Sequence, residues 1–489
     1  MINGAATNTH APVEADRSSA PVTFVLAALI VCLGAANGGF FQPSWNWSLA
    51  VGAVLLLGAS HAVDLVRLNR IEWGAICLAV AFAAWTLVAS VWASDLAESR
   101  VQANRILLYV FFIVLVLLAT RSVRSLVGGA VIGICAISLY ALLAYLVVGN
   151  TGAPSPFEGY LLFRPVGYAN ALGELAALGL IAVLGLATEA DRDSTASAAA
   201  AMWAPLTATL VLTQSRGAWL AFLVGVAVLV IMVGRQAMLT LFGAALVIVT
   251  IAVLSWSAHL ERLDRGFNQG RARELAVAVV ALSAGAYFAW PVLRSRVLGP
   301  SRRLEIAMAS SFIVLSLGLA AAFVRFHALG SLGVRQAYWR VAWAEAVHHP
   351  LFGSGPGSFA VASRAQGGGA TALNAHNLYL ETLAETGLIG LLFLVGFLAV
   401  PLIRLRLIRK HRYVGTAAAA YTVFLTHAFV DWDWQMPVVT ISGLAFGAVL
   451  LVASRDRGTP SLSTTGRHRL MFASLAVLAV AIGELVSHR

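Results

Sequence analysis

Residues 374–402 read NAHNLYLETLAETGLIGLLFLVGFLAVPL, a short polar segment that runs directly into an apolar stretch. An α-helix rises about 1.5 Å per residue, so about 20 apolar residues are needed to cross the hydrocarbon core of a bilayer. The apolar part of this segment meets that length. It is typical of a transmembrane helix whose polar N-terminal end lies at the membrane surface.

The composition of the whole chain indicates the same class of protein. Of its 489 residues, 60% are hydrophobic and 11% are charged, and the mean hydropathy is +0.83. A soluble domain of this length needs more polar surface than these residues supply. We therefore expect the lipid bilayer to solvate most of the chain.

Apolar runs of spanning or near-spanning length recur along the sequence. They lie at 22–40, 47–64, 73–92, 106–120, 125–148, 170–187, 199–213, 218–233, 239–256, 274–292, 305–324, 377–402, 413–430, 437–453 and 470–486. The sequence therefore predicts an all-α, polytopic integral membrane protein with about 14–15 transmembrane helices. The last run either spans the bilayer or lies at its interface. The first lacks a basic start and a clear cleavage site, so a removable signal peptide is not expected.

The order of polar and apolar segments divides the chain into four regions. Residues 1–21 are polar and rich in Ala, Thr and Ser, and are predicted to form a disordered cytoplasmic N-terminus. Residues 22–324 form a first set of membrane helices, 325–376 a large outward loop, and 377–489 the C-terminal membrane helices. In the loop, RQAYWRVAWAEAVHH alternates aromatic or apolar with basic positions, which predicts an amphipathic helix on the membrane face.

Basic residues alternate from loop to loop and predict the orientation. Twenty of the 33 Lys and Arg residues fall on one set of connections, which the positive-inside rule places in the cytoplasm. The opposite connections still hold twelve arginines. These are either functional or interfacial side chains that snorkel to the headgroups. The net charge of +11 does not indicate a nucleic-acid partner, because most of it is explained by the basic residues that orient the helices in the membrane.

Arginines in two outward segments are candidate anion ligands. Arg216 lies in LTQSRGAWLA (212–221), a very short turn between two apolar runs, where its guanidinium either grips a phosphate or snorkels and pairs with an acidic side chain. GVRQAYWRVAW (333–343) supplies Arg335 and Arg340 beside two tryptophans one helical turn apart. Two arginines from separate loops would form a clamp for a diphosphate.

His376 is the candidate base, because NAHNLYLETLAETGLIG (374–390) begins a span and places His376 at the mouth of its helix. A neutral imidazole there could remove a proton from a hydroxyl near neutral pH; the alternative is an interfacial histidine bonded to a carbonyl. Asn374 is a plausible N-cap for this helix. Glu381 and Glu385, one turn apart on the same helix, would either pair with the arginines or orient the site.

Two further segments contribute charged side chains. FRPVGYANALGELAAL (163–178) carries Arg164 and an intramembrane Glu174, which is either functional or part of an internal ion pair. THAFVDWDWQMP (426–437) places Asp431 and Asp433 in an outward turn. A pair of this kind can hold a divalent metal for nucleotide-sugar chemistry, but those substrates are cytoplasmic, so we expect structural pairing with loop arginines instead. His427 shares a helix face with Asp431, and the two could satisfy each other.

The remaining motifs predict structure rather than chemistry. The glycines of HHPLFGSGPGSF (348–359) have no strand–glycine–helix context, so we interpret them as a tight backbone turn that shapes the loop, not as a nucleotide site. The three cysteines all lie in apolar runs without metal or disulfide spacing and are expected to be small core residues.

Five segments follow one another along the chain: RPVGYAN, TQSRGAW, an arginine and a tryptophan four residues apart followed by HPLFGSGPGSF, HNLYLETLAETGLIGL and DWDWQMP. In this order they resemble the motifs of the O-antigen ligase and polymerase superfamily of bacterial membrane glycosyltransferases. The resemblance covers roughly residues 160–450. Its most specific part is the HNLYLETLAETG block; the earlier apolar runs match only in general character.

The resemblance implies an inverting glycosyltransferase of the bacterial inner (plasma) membrane whose active site faces outward. Such an enzyme moves a glycan from an undecaprenyl-diphosphate carrier to an acceptor hydroxyl, in the biosynthesis of lipopolysaccharide or another polysaccharide. The carrier bond supplies the driving force, so neither a metal nor another cofactor is expected. The implied partners are the carrier-linked donor, a glycan or lipid acceptor and membrane lipids, with no nucleic acid.

The family's functional residues carry over to three positions. Arg216 resembles the arginine of the S-R-G turn and Arg335 the arginine before the loop tryptophan, and both would bind the carrier diphosphate and stabilise its developing charge. His376 resembles the family's histidine, the base on the acceptor hydroxyl. Two additional apolar runs precede the large loop here, which leaves Arg265 or Arg271 as alternatives to Arg335.

Ligases and polymerases share these motifs, so the acceptor stays open. A transporter or flippase of lipid-linked glycans is the alternative function, and would place its functional charges along the bilayer midplane. A non-catalytic assembly subunit is a third possibility.

Overall fold

The computed structural model describes residues 19–62, 65–149, 158–258, 260–262, 266–297, 330–365, 372–456 and 458–487, and helices dominate these segments. The helices of the first half are α1 (Ser19–Ala35), α2 (Gln42–Ala62), α3 (Arg70–Ala89), α4 (Leu96–Ala119), α5 (Val123–Leu143), α6 (Ala169–Glu189), α7 (Asp193–Ala201), α8 (Trp203–Leu212), α9 (Arg216–Val233), α10 (Arg235–Ser257) and α11 (Gln269–Val297). A π turn at Ala144–Val148 continues α5, and a two-residue antiparallel pair, β1 (Glu261–Arg262) with β2 (Gly266–Phe267), precedes α11.

The second half holds the helices of the outward loop and the C-terminal helices. They are α12 (Gly330–His348), α13 (Ser358–Ala365), α14 (Leu378–Ala399), α15 (Leu405–Ile408), α16 (Val414–His427), α17 (Pro437–Ala453) and α18 (Thr464–Ser487). A short 3-10 turn, Asp433–Gln435, connects α16 to α17. α12 covers the aromatic and basic stretch of the loop, where a helix is predicted from the sequence.

The predicted class, an all-α polytopic membrane protein, is confirmed. Within the described segments, ten helical stretches are long and apolar enough to cross a membrane, and α1 and α17 are shorter apolar helices of 17 residues each. The predicted runs at 22–40, 413–430 and 437–453 fall on these shorter helices and on the 14-residue α16. The predicted run at 305–324 lies outside the described residues.

The centre of the helix bundle is formed by α6 and α17. Nearly every residue of α6 is buried and every residue of α17 is buried, and α6 packs against α5, α8, α9 and α16. Peripheral helices instead expose large apolar side chains: Leu246, Phe288 and Phe472 are each about three-quarters exposed. Exposed apolar surface of this kind suits lipid contact. Because α6 and α17 are packed by protein along their length, the positions of their ends are fixed.

The expectation that the cysteines are core residues is wrong for two of them. Cys32 and Cys77 are exposed and Cys135 is only partly buried. The apolar runs that contain them are apolar on all sides, so hydropathy does not distinguish the face that packs on protein from the face that meets lipid.

A break in α14 locks the outward loop onto the membrane domain. Gly387 has φ 68° and ψ −172°, a conformation nearly confined to glycine, and a Cβ there would lie 2.2 Å from the Leu351 carbonyl oxygen. The loop backbone fills the break, since the N–H groups of Ser354 and Gly355 donate to the carbonyls of Ala384 and Glu385 at 2.9 and 2.8 Å. The glycine-rich segment is thus a backbone turn, as predicted, and it docks on this helix.

Candidate functional site

Asp431 connects the elements that meet at one end of the bundle. Its carboxylate is fully buried and lies in the turn after α16. Oδ2 accepts hydrogen bonds from Arg335 Nη2 at 2.8 Å and Asn170 Nδ2 at 2.7 Å, and Oδ1 accepts from the Tyr168 hydroxyl at 2.8 Å and the Trp432 N–H at 2.9 Å. A buried carboxylate satisfied in this way holds its donors in fixed positions. The predicted pairing of Asp431 with a loop arginine is confirmed.

Arg335 reaches this carboxylate from α12, in the outward loop. Its side chain retains 16% of its exposure, and the ion pair engages one terminal nitrogen of the guanidinium. A guanidinium offers five N–H donors in a planar fork, so the remaining donors can turn toward a phosphate while Asp431 fixes the plane. The contact therefore orients the arginine without consuming all of its donors.

His376 lies beside this cluster in a strained loop. Its φ of +52° is left-handed, which is uncommon for a residue other than glycine. Nδ1 lies 3.1 Å from the Asn374 carbonyl oxygen, and if Nδ1 carries the proton, Nε2 is left with the lone pair that a base needs. The side chain is half-buried. It is therefore accessible to a substrate while its ring is held from one side.

Aromatic rings connect His376 to the Asp431 turn. The imidazole lies 5.4 Å from the Tyr338 ring of α12 and 6.5 Å from the Trp432 ring, and Trp432 stacks on Tyr168 with centroids 4.7 Å apart. Rings at these separations pack favourably. His376, Arg335 and Asp431 consequently belong to one cluster at this end of the bundle.

The helix that follows His376 begins later than the sequence indicates. Its N-cap is Asn377, whose Oδ1 accepts the Leu380 N–H at 3.0 Å, so the assignment of Asn374 as N-cap is wrong. The first residue of the helix is held by another segment: the Leu378 N–H donates to the Ala428 carbonyl at 2.8 Å. Tertiary contacts with the turn after α16 therefore displace the helix start.

Arg216 is the first residue of α9 and approaches the same turn. Ser215 caps this helix through the Ala218 N–H at 3.3 Å, and the turn from α8 is three residues long, as predicted. The neighbouring Gly217 packs directly on that turn, since a Cβ there would lie 2.9 Å from His427 Nε2 and 3.0 Å from Val430 Cγ2. Arg216 therefore emerges next to the segment that carries Asp431.

A buried triad lies behind this turn. His427 Nδ1 is 3.0 Å from Glu174 Oε2 and also contacts Asp433, and all three side chains are at most 2% exposed. Glu174 is thus part of an internal ion pair, and His427 pairs with these two carboxylates, not with Asp431 as the shared helix face suggested. The ligand atoms lie within 4.8 Å of one another, a spacing compatible with a metal, but the imidazole nitrogen already lies between the two carboxylates.

Glu381 and Glu385 hold main-chain amides of the outward loop. Glu381 accepts from the Ala375 N–H at 2.6 Å and from Gln435 Nε2 at 3.1 Å, and Glu385 accepts from the Phe359 N–H at 3.2 Å. Of the two roles expected for these residues, the geometry favours orientation of the site over pairing with the clamp arginines.

The remaining predicted arginines lie away from these contacts. Arg164 and Arg340 are exposed, and the Arg164 guanidinium lies over the adjacent Phe163 ring at 5.5 Å. Arg271, an alternative second clamp residue, donates to the Ala258 carbonyl at 3.2 Å near the start of α11. Arg265, the other alternative, lies outside the described residues. The hydrogen bond from Arg335 to Asp431 favours Arg335 over Arg271 as the second arginine of the diphosphate clamp, beside Arg216.

The structure adds Glu158 to the residues selected from the sequence. Burial raises the pKa of its carboxyl to about 7, and the nearby Asp431 carboxylate adds to the shift, while a hydrogen bond from the Ala169 backbone opposes it. Glu158 stands in no recognisable motif, and its proximity to Asp431 arises from folding. Only a contact prediction could have identified it.

Residues 200–395 of the chain match the family model described as O-antigen ligase. No curated protein matches the chain. The matched region contains Arg216, Arg335 and His376, and it supports the O-antigen ligase/polymerase superfamily, in agreement with the motifs. Glu174 and Asp431 lie outside it; Asp431 contacts Arg335 of the matched region, whereas Glu174 contacts His427 in the buried triad.

Proposed function

We propose that this multi-pass membrane protein, which carries an O-antigen ligase region, transfers a glycan from an undecaprenyl-diphosphate carrier to an acceptor hydroxyl at the outer face of the bacterial inner membrane. The reaction inverts the anomeric carbon and uses no metal. The observation that carries the proposal is that the base candidate His376 and Arg335 lie beside the turn that holds Asp431, while Gly217, the neighbour of Arg216, packs on the segment just before Asp431. These residues come from α9, α12 and the start of α14, which are far apart in the sequence.

Arg216 and Arg335 bind the diphosphate of the donor. As the bond from the anomeric carbon to the diphosphate oxygen breaks, negative charge grows on the leaving group, and prepositioned guanidinium donors stabilise it more in the transition state than in the ground state. Asp431 supports this step indirectly because it fixes the orientation of Arg335 before the donor arrives.

His376 accepts the proton of the acceptor hydroxyl while the hydroxyl oxygen attacks the anomeric carbon. Attack from the face opposite the diphosphate inverts the anomeric carbon. The new glycosidic bond forms as the bond to the diphosphate oxygen breaks. The carbonyl of Asn374, 3.1 Å from Nδ1, accepts the Nδ1 proton of the neutral ring and leaves the Nε2 lone pair to take the proton of the hydroxyl. The acceptor is a glycan or a lipid-linked saccharide, so a ligase and a polymerase fit equally.

A transporter of lipid-linked glycans is the competing function. It requires charged groups along a path through the bilayer midplane, whereas Arg335, Asp431 and His376 lie near helix ends or in the connections between helices. This distribution favours chemistry at the membrane surface.

The test is a transfer assay with purified protein in nanodiscs, undecaprenyl-diphosphate-linked glycan and acceptor. We expect a new glycosidic bond to form with the wild type and not with Arg216→Ala. The control is Arg364→Ala, an exposed arginine of α13 that donates to the Ala360 carbonyl of its own helix, and it should behave as the wild type. Movement of carrier-linked glycan across a vesicle without any new glycosidic bond would support the transporter and contradict the enzyme.

A further inference from the structure

The carboxylate of Glu381 bridges two segments of the site. Oε2 accepts the N–H of Ala375, the residue before His376, at 2.6 Å, and Oε1 accepts Gln435 Nε2 at 3.1 Å. Gln435 belongs to the 3-10 turn that follows Asp431. One side chain therefore connects the loop of the base to the turn that orients Arg335.

The loop needs such a connection because its backbone is strained. His376 has φ +52°, and a residue other than glycine in this region requires its surroundings to hold it there. The nearest rigid support is α14, which packs on α3 and α12. A charge-assisted hydrogen bond from an adjacent main-chain N–H to a carboxylate is among the stronger ones available.

A small cavity beside Glu381, lined by both polar and apolar side chains, helps to explain how the buried carboxylate is tolerated. It measures about 40 Å³ and is lined by Gln102, Arg105, Glu381, Glu385 and Gln435, among others, which is room for a few water molecules. Arg105 is 4% exposed and interacts electrostatically with Glu381, and its Nε has no hydrogen-bond partner among the described residues. The cavity thus supplies Glu381 with a counter-charge and space for water.

We propose that Glu381 is a positioning residue, which fixes the His376 loop to the Asp431 turn. It thereby keeps the base in a fixed position relative to the arginines of the diphosphate clamp. The proposal rests on the proposed function, because it assumes that His376 acts in the reaction. Glu381 touches neither substrate, so its loss should affect turnover and leave donor binding by Arg216 and Arg335 intact.

Two substitutions and one control test this role. Glu381→Ala removes both hydrogen bonds, and displacement of the base by about 1 Å should lower kcat by about tenfold to a hundredfold with the donor KM unchanged. Glu381→Gln keeps an oxygen for the Ala375 N–H and should recover at least a tenth of the wild-type kcat. Glu274→Ala removes an exposed carboxylate at the start of α11 and should have no effect.

A measurement independent of activity separates this inference from the proposed function. Hydrogen–deuterium exchange of the peptide around Ala375 should quicken in Glu381→Ala and stay as in the wild type in Glu381→Gln and Glu274→Ala. Unchanged exchange, a kcat within about twofold of wild type, or an effect confined to donor KM would overturn the positioning role. An active His376→Ala enzyme would instead overturn the proposed function, and the exchange data would still decide whether Glu381 holds the loop.

Discussion

At the residue scale, the site depends on a fully buried aspartate. Asp431 accepts four hydrogen bonds, from α6, α12 and its own turn, and a charge in that position must be paired to be tolerated. Sequence reasoning identified the charges and expected an aspartate–arginine pair. It placed Tyr168 and Asn170 in the RPVGYAN segment but could not identify them as partners of Asp431, because they are about 260 residues away from it in the sequence.

Arg216→Lys and Arg335→Lys should each lose most of the transfer activity at normal membrane levels. A lysine keeps the charge but not the planar fork that binds a phosphate through two N–H groups and, at Arg335, Asp431 as well. Initial rates with saturating acceptor measure the effect, with Arg364→Lys as the control. Near wild-type rates for both variants would mean that charge alone suffices.

The pH dependence of donor binding should report on Glu158. Because its pKa is raised to about 7, the carboxyl is neutral below that pH and becomes charged as the pH rises through it. The new negative charge near Asp431 opposes a diphosphate, so the donor KM should rise by about two- to fivefold from about pH 6 to about pH 8. Glu158→Gln should remove that rise. An identical pH profile in both proteins would contradict this role of Glu158.

At the element scale, the break in α14 decides how the loop is seated. The sequence LAETGLIG reads as one continuous apolar helix, because a glycine inside a span is common and hydropathy carries no information on φ. In the structure Gly387 opens the helix, and the carbonyl of Thr386 is satisfied by the Trp85 indole at 2.8 Å while the Leu388 N–H donates to the Pro350 carbonyl at 2.9 Å. These two hydrogen bonds replace helix hydrogen bonds that are lost at the break, and they anchor the loop that carries Arg335.

Gly387→Ala should therefore destabilise the protein or prevent its accumulation. The substitution combines an unfavourable φ, of order 1–3 kcal/mol, with a Cβ 2.2 Å from the Leu351 carbonyl oxygen. The thermal unfolding midpoint of the purified protein measures the effect. Gly285→Ala is the matched control, because that glycine lies in α11 with no atom within 4 Å of its added Cβ, and equal midpoints for the two variants would contradict the seating of the loop.

At the scale of the whole molecule, hydropathy predicted the helices well and their environment poorly. The run predicted at 106–120 belongs to α4, which begins at Leu96. Within its first turns Arg105, which the loop pattern assigns to an outward connection, is buried beside Trp45 and interacts electrostatically with Glu381. The site residues that share a motif were found from sequence, whereas those joined only by folding were not.

The predicted orientation can be tested by cysteine labelling in a background where the three native cysteines are alanine. Ala365→Cys lies at the exposed end of α13, and Lys410→Cys lies in the basic connection between α15 and α16. A membrane-impermeant thiol reagent should label the first in intact spheroplasts and the second only after lysis. The reverse pattern would place the site in the cytoplasm and exclude a periplasmic transfer reaction.

The most direct test of the central claim is the turnover of His376→Ala in nanodiscs, measured with undecaprenyl-diphosphate-linked glycan and acceptor alongside the affinity for the donor. A general base contributes about a hundred- to ten-thousand-fold in rate, so we expect glycan transfer to fall by at least about a hundredfold while the donor still binds through Arg216 and Arg335. Retention of more than about a tenth of the wild-type turnover would contradict the account, since His376 would then only anchor the loop.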